Sequence, residues 1–466
     1  MVHIFSPVTT SRLQYVLGVI FRDHLRVPYR LSTDRSVWDG ATGPKIHYST
    51  EILDGSLGIP PSGFLSETYL PGRAPSADPL RGAGAMGRGW MPGRGPAASV
   101  TGGASWPFDL FGAIFYLLSR YEEYLPGAVY DHFGRFEPES SWAAHHGLLE
   151  RPLVDEWIAA LGEALEPAPA PGSATGSEVA SSTTPHAPAT PVGVRFSPTY
   201  DIDQPWCYQH KGLKMNLLSA GKALLTGRWG RAAEQWAVLS GKRRDPFDNF
   251  DWMDRVNMTL PEVPLYFFPL SASRNAYDKN PPPGNSDYQA LIQAHSARYP
   301  VGLHPSFHST TTPGLLASEM AVLTRITGLP VTISRFHYIR FRLPEGYRLL
   351  LDNGIRADYS MGYGERNGFR ASYSRPFPWY DLERETETAL QVVPFCWMEA
   401  TSYYNRGSRP EATLAELNGY KDTLDAVGGR LTTIWHNNSL GETPRWIGWR
   451  GLYIDFLTTI VPILPT

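Results

Sequence analysis

Residues 192–203 read Val-Gly-Val-Arg-Phe-Ser-Pro-Thr-Tyr-Asp-Ile-Asp. A short run with β-branched and aromatic side chains, Val192–Tyr200, predicts a strand and finishes on two acids, Asp201 and Asp203. Similar runs return at Val263–Leu270, Pro300–Leu303, Val331–Arg335, Gly354–Tyr359, Val392–Trp397 and Leu431–Trp435. Amphipathic helices fall between several of them. Ser286 is placed to cap one that runs to Ala297. Leu316, Met320, Leu323 and Thr327 share the face of a second that stops at Gly328, and Leu414, Leu417, Leu424 and Val427 mark a third ending at Gly428-Gly429. Strands alternating with helices predict a parallel sheet, closed or doubly wound, with chemistry at the carboxyl ends of its strands.

The informative side chains fall at those ends. Asp201 and Asp203 are two apart, so on a strand both face the mouth of the sheet, where two carboxylates repel unless a cation or an arginine lies between them. An Asp-x-Asp pair is also common in loops. The third run ends Gly302-Leu303-His304-Pro305-Ser306-Phe307-His308. Pro305 suits a first helical turn, on which His304 and His308 would share one face. Alone, either histidine could be exposed or satisfied in a core. Together with Asp203 they form a three-ligand set with open positions, the pattern of catalytic zinc. His436, ending the last run in Trp435-His436-Asn437, is placed as a general acid across the mouth, or else as a hydrogen-bonded structural histidine.

In order, Thr199-Tyr200-Asp201-Ile202-Asp203, His304 to His308, Arg335-Phe336-His337-Tyr338, the segment Asp358 to Tyr363, and Ile434-Trp435-His436 resemble the five motifs of the polysaccharide deacetylases, carbohydrate esterase family four. The resemblance spans roughly residues 192 to 440 and implies a distorted (β/α)7 barrel, an α/β fold. It implies a divalent metal, with zinc the expected ion, held by Asp203, His304 and His308. Asp201 is then the base, oriented by Arg335, and His436 the acid, acting on an N-acetylated glycan. Tyr338, His337, Asp358, Arg370 and Trp435 are the expected substrate contacts. Ile202 departs from the family by separating the two acids. His337 stands where the family has proline, which makes it an alternative ligand. Val392–Glu399 fits none of the motifs. An O-deacetylase, or a binding protein on a decayed barrel, is the rival reading.

The 466 residues predict two domains. Glu166 to Pro191 reads as a linker between residues 1–165, a smaller α/β domain, and the barrel at 192–466, and Gly72 to Ser105 reads as a flexible insertion. Tyr121-Glu122-Glu123-Tyr124 and Asp131-His132-Phe133-Gly134-Arg135-Phe136 look like the N-terminal domain, without assigned function, of a divergent bacterial branch of that family. Phe108, Phe111, Phe115 and Leu118 predict a core helix, with Arg120, Glu122 and Glu123 as its solvated or ion-paired end. The net charge of −3, with mixed signs, argues against a nucleic-acid partner. Two cysteines, Cys207 and Cys396, allow no disulfide framework beyond one bridge. The longest apolar stretch, Phe108 to Leu118, is too short to span a bilayer, and no signal segment is visible at Met1–Pro7, so a cytoplasmic protein is expected.

Overall fold

A computed structural model describes residues 1–84, 105–166, 193–441 and 443–461. Most of the expected insertion and nearly all of the expected linker therefore lie outside the described residues. The N-terminal region holds four short parallel strands, β1 (Val2–Phe5), β2 (Tyr29–Ser32), β3 (Lys45–His47) and β4 (Leu57–Gly58), in the order β2-β1-β3-β4. The remainder is built on β5 (Arg195–Asp201), β6 (Leu265–Pro269), β7 (Val301–His304), β8 (Ile333–Ser334), β9 (Ala357–Asp358), β10 (Phe377–Asp381), β11 (Thr386–Val392), β12 (Trp397–Met398) and β13 (Arg430–His436). These form one curled half-barrel in the order β10-β11-β9-β8-β7-β6-β5-β13-β12. Every pairing is parallel except β10 with β11.

Two features depart from the expected seven-stranded barrel. Phe377–Val392 adds an antiparallel hairpin at one edge, and the Val392–Trp397 run is divided between the end of β11 and the start of β12. The second helix stops as expected, with Gly328 at φ 72, a conformation that glycine adopts without the Cβ penalty. The first is capped by Asn285 rather than Ser286, its side chain accepting from the Tyr288 N–H. No described helix is long and apolar enough to cross a membrane.

The N-terminal region and the half-barrel share one continuous apolar core, running from Ile4, Val16 and Phe115 to Tyr380 and Trp435. The predicted core helix is Leu110–Leu118, buried at all nine positions and capped by Asp109. Its end is not solvated. Arg120 bonds Glu122 and Glu123 at 2.7 and 2.8 Å, and Arg370 grips both Glu123 oxygens at 2.8 and 2.6 Å, all four side chains being buried. Arg370, expected at the substrate, is thus a strut between the two regions. Removing one member of such a pair leaves charge poorly compensated in a dry interior. Arg370→Met is expected to cost about 3–5 kcal/mol of stability, read as a lowered urea midpoint.

Candidate active site

Adjacent parallel strands bring their carboxyl ends to one level. His436 is the Cα partner of Asp201, and His304 that of Pro269. Gly302 makes this closeness possible in β7, since a Cβ there would meet the Phe267 ring at 2.6 Å. Phe267 in turn lies 4.4 Å beneath the Arg335 guanidinium, which donates to Asp201 Oδ1 at 2.7 Å and to the Tyr359 carbonyl at 3.0 Å. Asp201 Oδ2 is left 3.7 Å from His304 Nε2.

Three groups converge beside this pair. Asp203 Oδ1 stands 3.3 Å from His304 Nε2, and Asp203 Oδ2 stands 3.4 Å from His337 Nε2. The candidate ligand atoms of Asp203, His304 and His337 all lie within 4.8 Å of one another. Each ring is oriented from behind. His304 Nδ1 meets the Arg335 carbonyl at 2.5 Å, and His337 Nδ1 meets Asp278 Oδ1 at 2.9 Å. With each Nδ1 engaged from behind, both Nε2 atoms face the same point. Asp203 Oδ1 is buried and has no hydrogen-bond partner.

His436 closes the group, its Nε2 3.7 Å from Asp203 Oδ2. Glu399 Oε1 accepts from both its Nδ1 and its backbone N–H, at 2.7 and 2.8 Å. Burial opposes charge on this ring most strongly, but Glu399, then Asp203 and Asp201, outweigh it and push His436 up to about 10. Burial likewise opposes the His337 proton, yet Asp203 and Asp278 push that ring up to about 9. Desolvation alone would raise the Asp203 carboxyl; the facing His337, His304 and His436 hold it well below its ordinary value.

The residues expected from sequence divide into two sets. Asp201, Asp203, His304, His337, Tyr338 and His436 line one cavity of about 480 Å³, with Arg335 directly behind Asp201. His308 does not join them. The segment after β7 is a turn rather than a helix, with the Phe307 N–H donated to Asp278, and it leaves His308 exposed. Asp358 is fully buried under Ser334 and Ser360, where burial pushes its carboxyl up to about 6. Trp435 is fully buried against Trp397 and Tyr453. Neither Asp358, Trp435 nor Arg370 lines the cavity.

Two functional candidates escaped the sequence reading. Glu399 stands two residues past an expected strand end, so the strand-end rule could have flagged it. Asp278 lies in the loop between β6 and the helix Ser286–Ser296, and only its neighbours in space mark it. Asp278→Asn should weaken metal retention about 10- to 100-fold, because the His337 ring would lose its anionic anchor; a chelator competition titration reads this directly.

The N-terminal region also reaches the cavity, through Phe133 and Arg135. Asp131 Oδ1 accepts from the N–H groups of Phe133 and Arg135 and folds a tight turn around Gly134, whose φ is 81. Arg135 then donates to the Tyr338 carbonyl at 3.2 Å. Tyr338 and Ile339 both hold left-handed backbone, φ 59 and 57, a conformation that persists only where neighbours enforce it. A second cluster, Asp131, His132 and Glu365, is bridged by Arg135 at 2.6 and 3.0 Å, so both of its carboxylates already have a cationic partner.

Residues 2–168 match a family described as a family of unknown function, DUF7033. No curated protein matches the chain. Among solved structures, the chain is similar to a Mycobacterium smegmatis protein assigned as a polysaccharide deacetylase. Identity is 15%, the TM-score is 0.35, and the match covers 61% of this chain and 89% of the other. It is also similar to a polysaccharide deacetylase from Bacillus cereus at 12% identity and TM-score 0.28, covering 57% and 88% of the two chains. A third similar structure is Puue allantoinase, at 14% identity and TM-score 0.34, covering 59% and 87%.

Proposed function

We propose that this protein is a metal-dependent hydrolase that removes N-acetyl groups from a glycan. The observation that carries the reading is the convergence of Asp203 Oδ1 and the Nε2 atoms of His304 and His337, each imidazole anchored through its other nitrogen. An orphaned buried carboxylate oxygen beside two imidazole Nε2 atoms fits a divalent cation, which would take the place of their protons, and three protein donors leave positions open, as in catalytic zinc sites. His337, the alternative ligand of the motif reading, serves here as the third donor in preference to His308. Zinc is the expected ion, although mixed oxygen and nitrogen donors also suit cobalt, nickel or iron.

When bound, the ion supplies Lewis acidity toward the acyl oxygen and toward water. The chain's residues supply the proton handling. Asp201, aimed by Arg335, accepts a proton from the attacking water through Oδ2. His436, held protonated by Glu399, donates to the departing amine. The Tyr338 N–H, by the family resemblance, supports the oxyanion. An ester can expel its alcohol with less help, so the His436–Glu399 pair favours amide over O-acetyl cleavage.

The test is acetate release from N-acetylated oligosaccharides, before and after chelation and after metal return. Release lost on chelation and restored by zinc or cobalt is expected. A fully active, metal-free protein would reject the mechanism. A protein that binds metal in equal stoichiometry but releases acetate only from O-acetylated sugars would favour the O-deacetylase. One that binds no metal would leave a carbohydrate-binding or assembly role.

A further inference from the structure

A larger hollow of about 930 Å³ adjoins the catalytic cavity, and the two share Gln204, Lys279, Tyr404, Asn438, Arg445 and Trp446 as walls. Its outer wall is the loop between two helices, Leu213–Leu225 and Trp229–Leu239, inserted after the β5 acids. The hollow is cationic. Lys211, Arg228, Arg231, Lys279 and Arg445 line it, and none has a carboxylate within ion-pair distance among the described residues. The nearby acids are already engaged. Glu234 pairs with Arg243 at 2.9 Å and accepts from the Tyr208 hydroxyl, while Asp245 is buried and accepts the N–H groups of Cys207, Tyr208 and Gln209.

Between Lys211 and Arg244 the chain carries eight lysines and arginines against the single acid Glu234, whereas the whole chain has 42 bases and 45 acids. Gathering unpaired cations around a concavity is electrostatically unfavourable unless an anion visits it. Burial, with Arg274 and Arg231 adding to it, lowers the Lys211 ammonium from its ordinary value despite the opposing pull of Cys207 and Asp245. Aromatic faces flank the charges: Trp229 is 68% exposed and Tyr404 is 56% exposed, surfaces on which a sugar ring can lie.

We propose that this hollow is a subsite for a phosphate or diphosphate ester carried by the substrate, so that the enzyme deacetylates a phosphorylated sugar in preference to a neutral glycan. The role in deacetylation rests on the hydrolase reading above; the anion site itself does not. Several cations in so large a space suit a multiply charged group better than a lone carboxylate, and arginine matches phosphate oxygens through its planar fork.

Pyrophosphate is the probe for binding, titrated calorimetrically into the chelated full-length protein. Saturable binding at one site per chain is expected, weakened about tenfold or more in Lys211→Ala/Arg231→Ala and unchanged in Asp203→Asn. The kinetic arm compares N-acetylglucosamine 1-phosphate with its neutral methyl glycoside. Arg231→Ala should raise KM for the phosphorylated sugar alone and leave kcat within about twofold, since the subsite lies away from the reacting bond. No saturable pyrophosphate binding, equal binding by the double variant, or preference for a glucuronate oligomer would overturn the subsite. If pyrophosphate binds as expected but neither sugar releases acetate, the hydrolase reading fails while the anion site stands.

Discussion

Asp203→Ala and His337→Ala are each expected to lose stoichiometric metal and to lower acetate release by about 10³-fold or more, because a three-ligand site stripped of one donor no longer holds the ion that acidifies the water. The same loss is expected of His304→Ala. His308→Ala is the discriminating control. Its ring is exposed on a turn and stacks edge-on to Tyr277 and Phe307, so both metal content and turnover should stay within about twofold of the parent. Elemental analysis of gel-filtered protein, read beside a thermal melt, separates loss of metal from loss of fold. The reverse pattern, with His308→Ala empty and His337→Ala loaded, would return the third ligand to its place in the family motif.

The proposed exchange of histidines marks what the sequence could carry. The alternation of strands and helices placed Asp201, Asp203, His304, Arg335 and His436 at strand ends, and those side chains share one cavity or back it directly. Position along a strand is written in periodicity, so it is readable. The path of the chain after β7 is not. Pro305 suits a helix start, but the Phe307 N–H is taken by Asp278 from a loop 29 residues upstream, and the turn that results points His308 away. Partners supplied by distant loops leave no local spacing to read. This is also why Asp278 and the buried grip of Glu123 on Arg370 were not foreseen.

The β10–β11 hairpin was hidden for a different reason. All five residues of β10 are buried and Pro378 interrupts the run, while β11 is mostly exposed along Thr386–Leu390. β10 lacks the regular alternation of a half-buried strand, β11 shows it only toward its end, where Leu390 and Val392 are buried and Ala389 and Gln391 exposed, and proline in a strand reads as a demotion to an edge. β10 is an edge strand, tied to the N-terminal region where Tyr15 donates its hydroxyl to the Pro378 carbonyl. Asp358 and Trp435 were placed by motif order alone. Order fixes the strand end but not the face, and both side chains turn into the core.

The second large effect separates proton transfer from metal binding. Asp201→Asn and His436→Ala should each retain the ion yet lose about 10²- to 10⁴-fold in kcat on an N-acetyl substrate, the usual worth of a positioned base or acid. The two then diverge with the leaving group. An acetyl ester of a good leaving group needs no proton on the departing oxygen, so His436→Ala should recover much of its rate there and Asp201→Asn should not. Glu399 supplies the sign of the pH effect. Its carboxylate is the main force raising the folded His436 above the ordinary 6.5 to about 10, so the acid is charged below that value and is lost as pH rises through it. Glu399→Gln removes that force, and the alkaline limb of the kcat profile should move to lower pH by about one unit or more. The stability that His436 contributes follows the same sense: it is complete below the unfolded value and vanishes as pH climbs through the folded one. An alkaline limb that stays in place in Glu399→Gln, in a protein that still binds metal, would remove His436 as the acid.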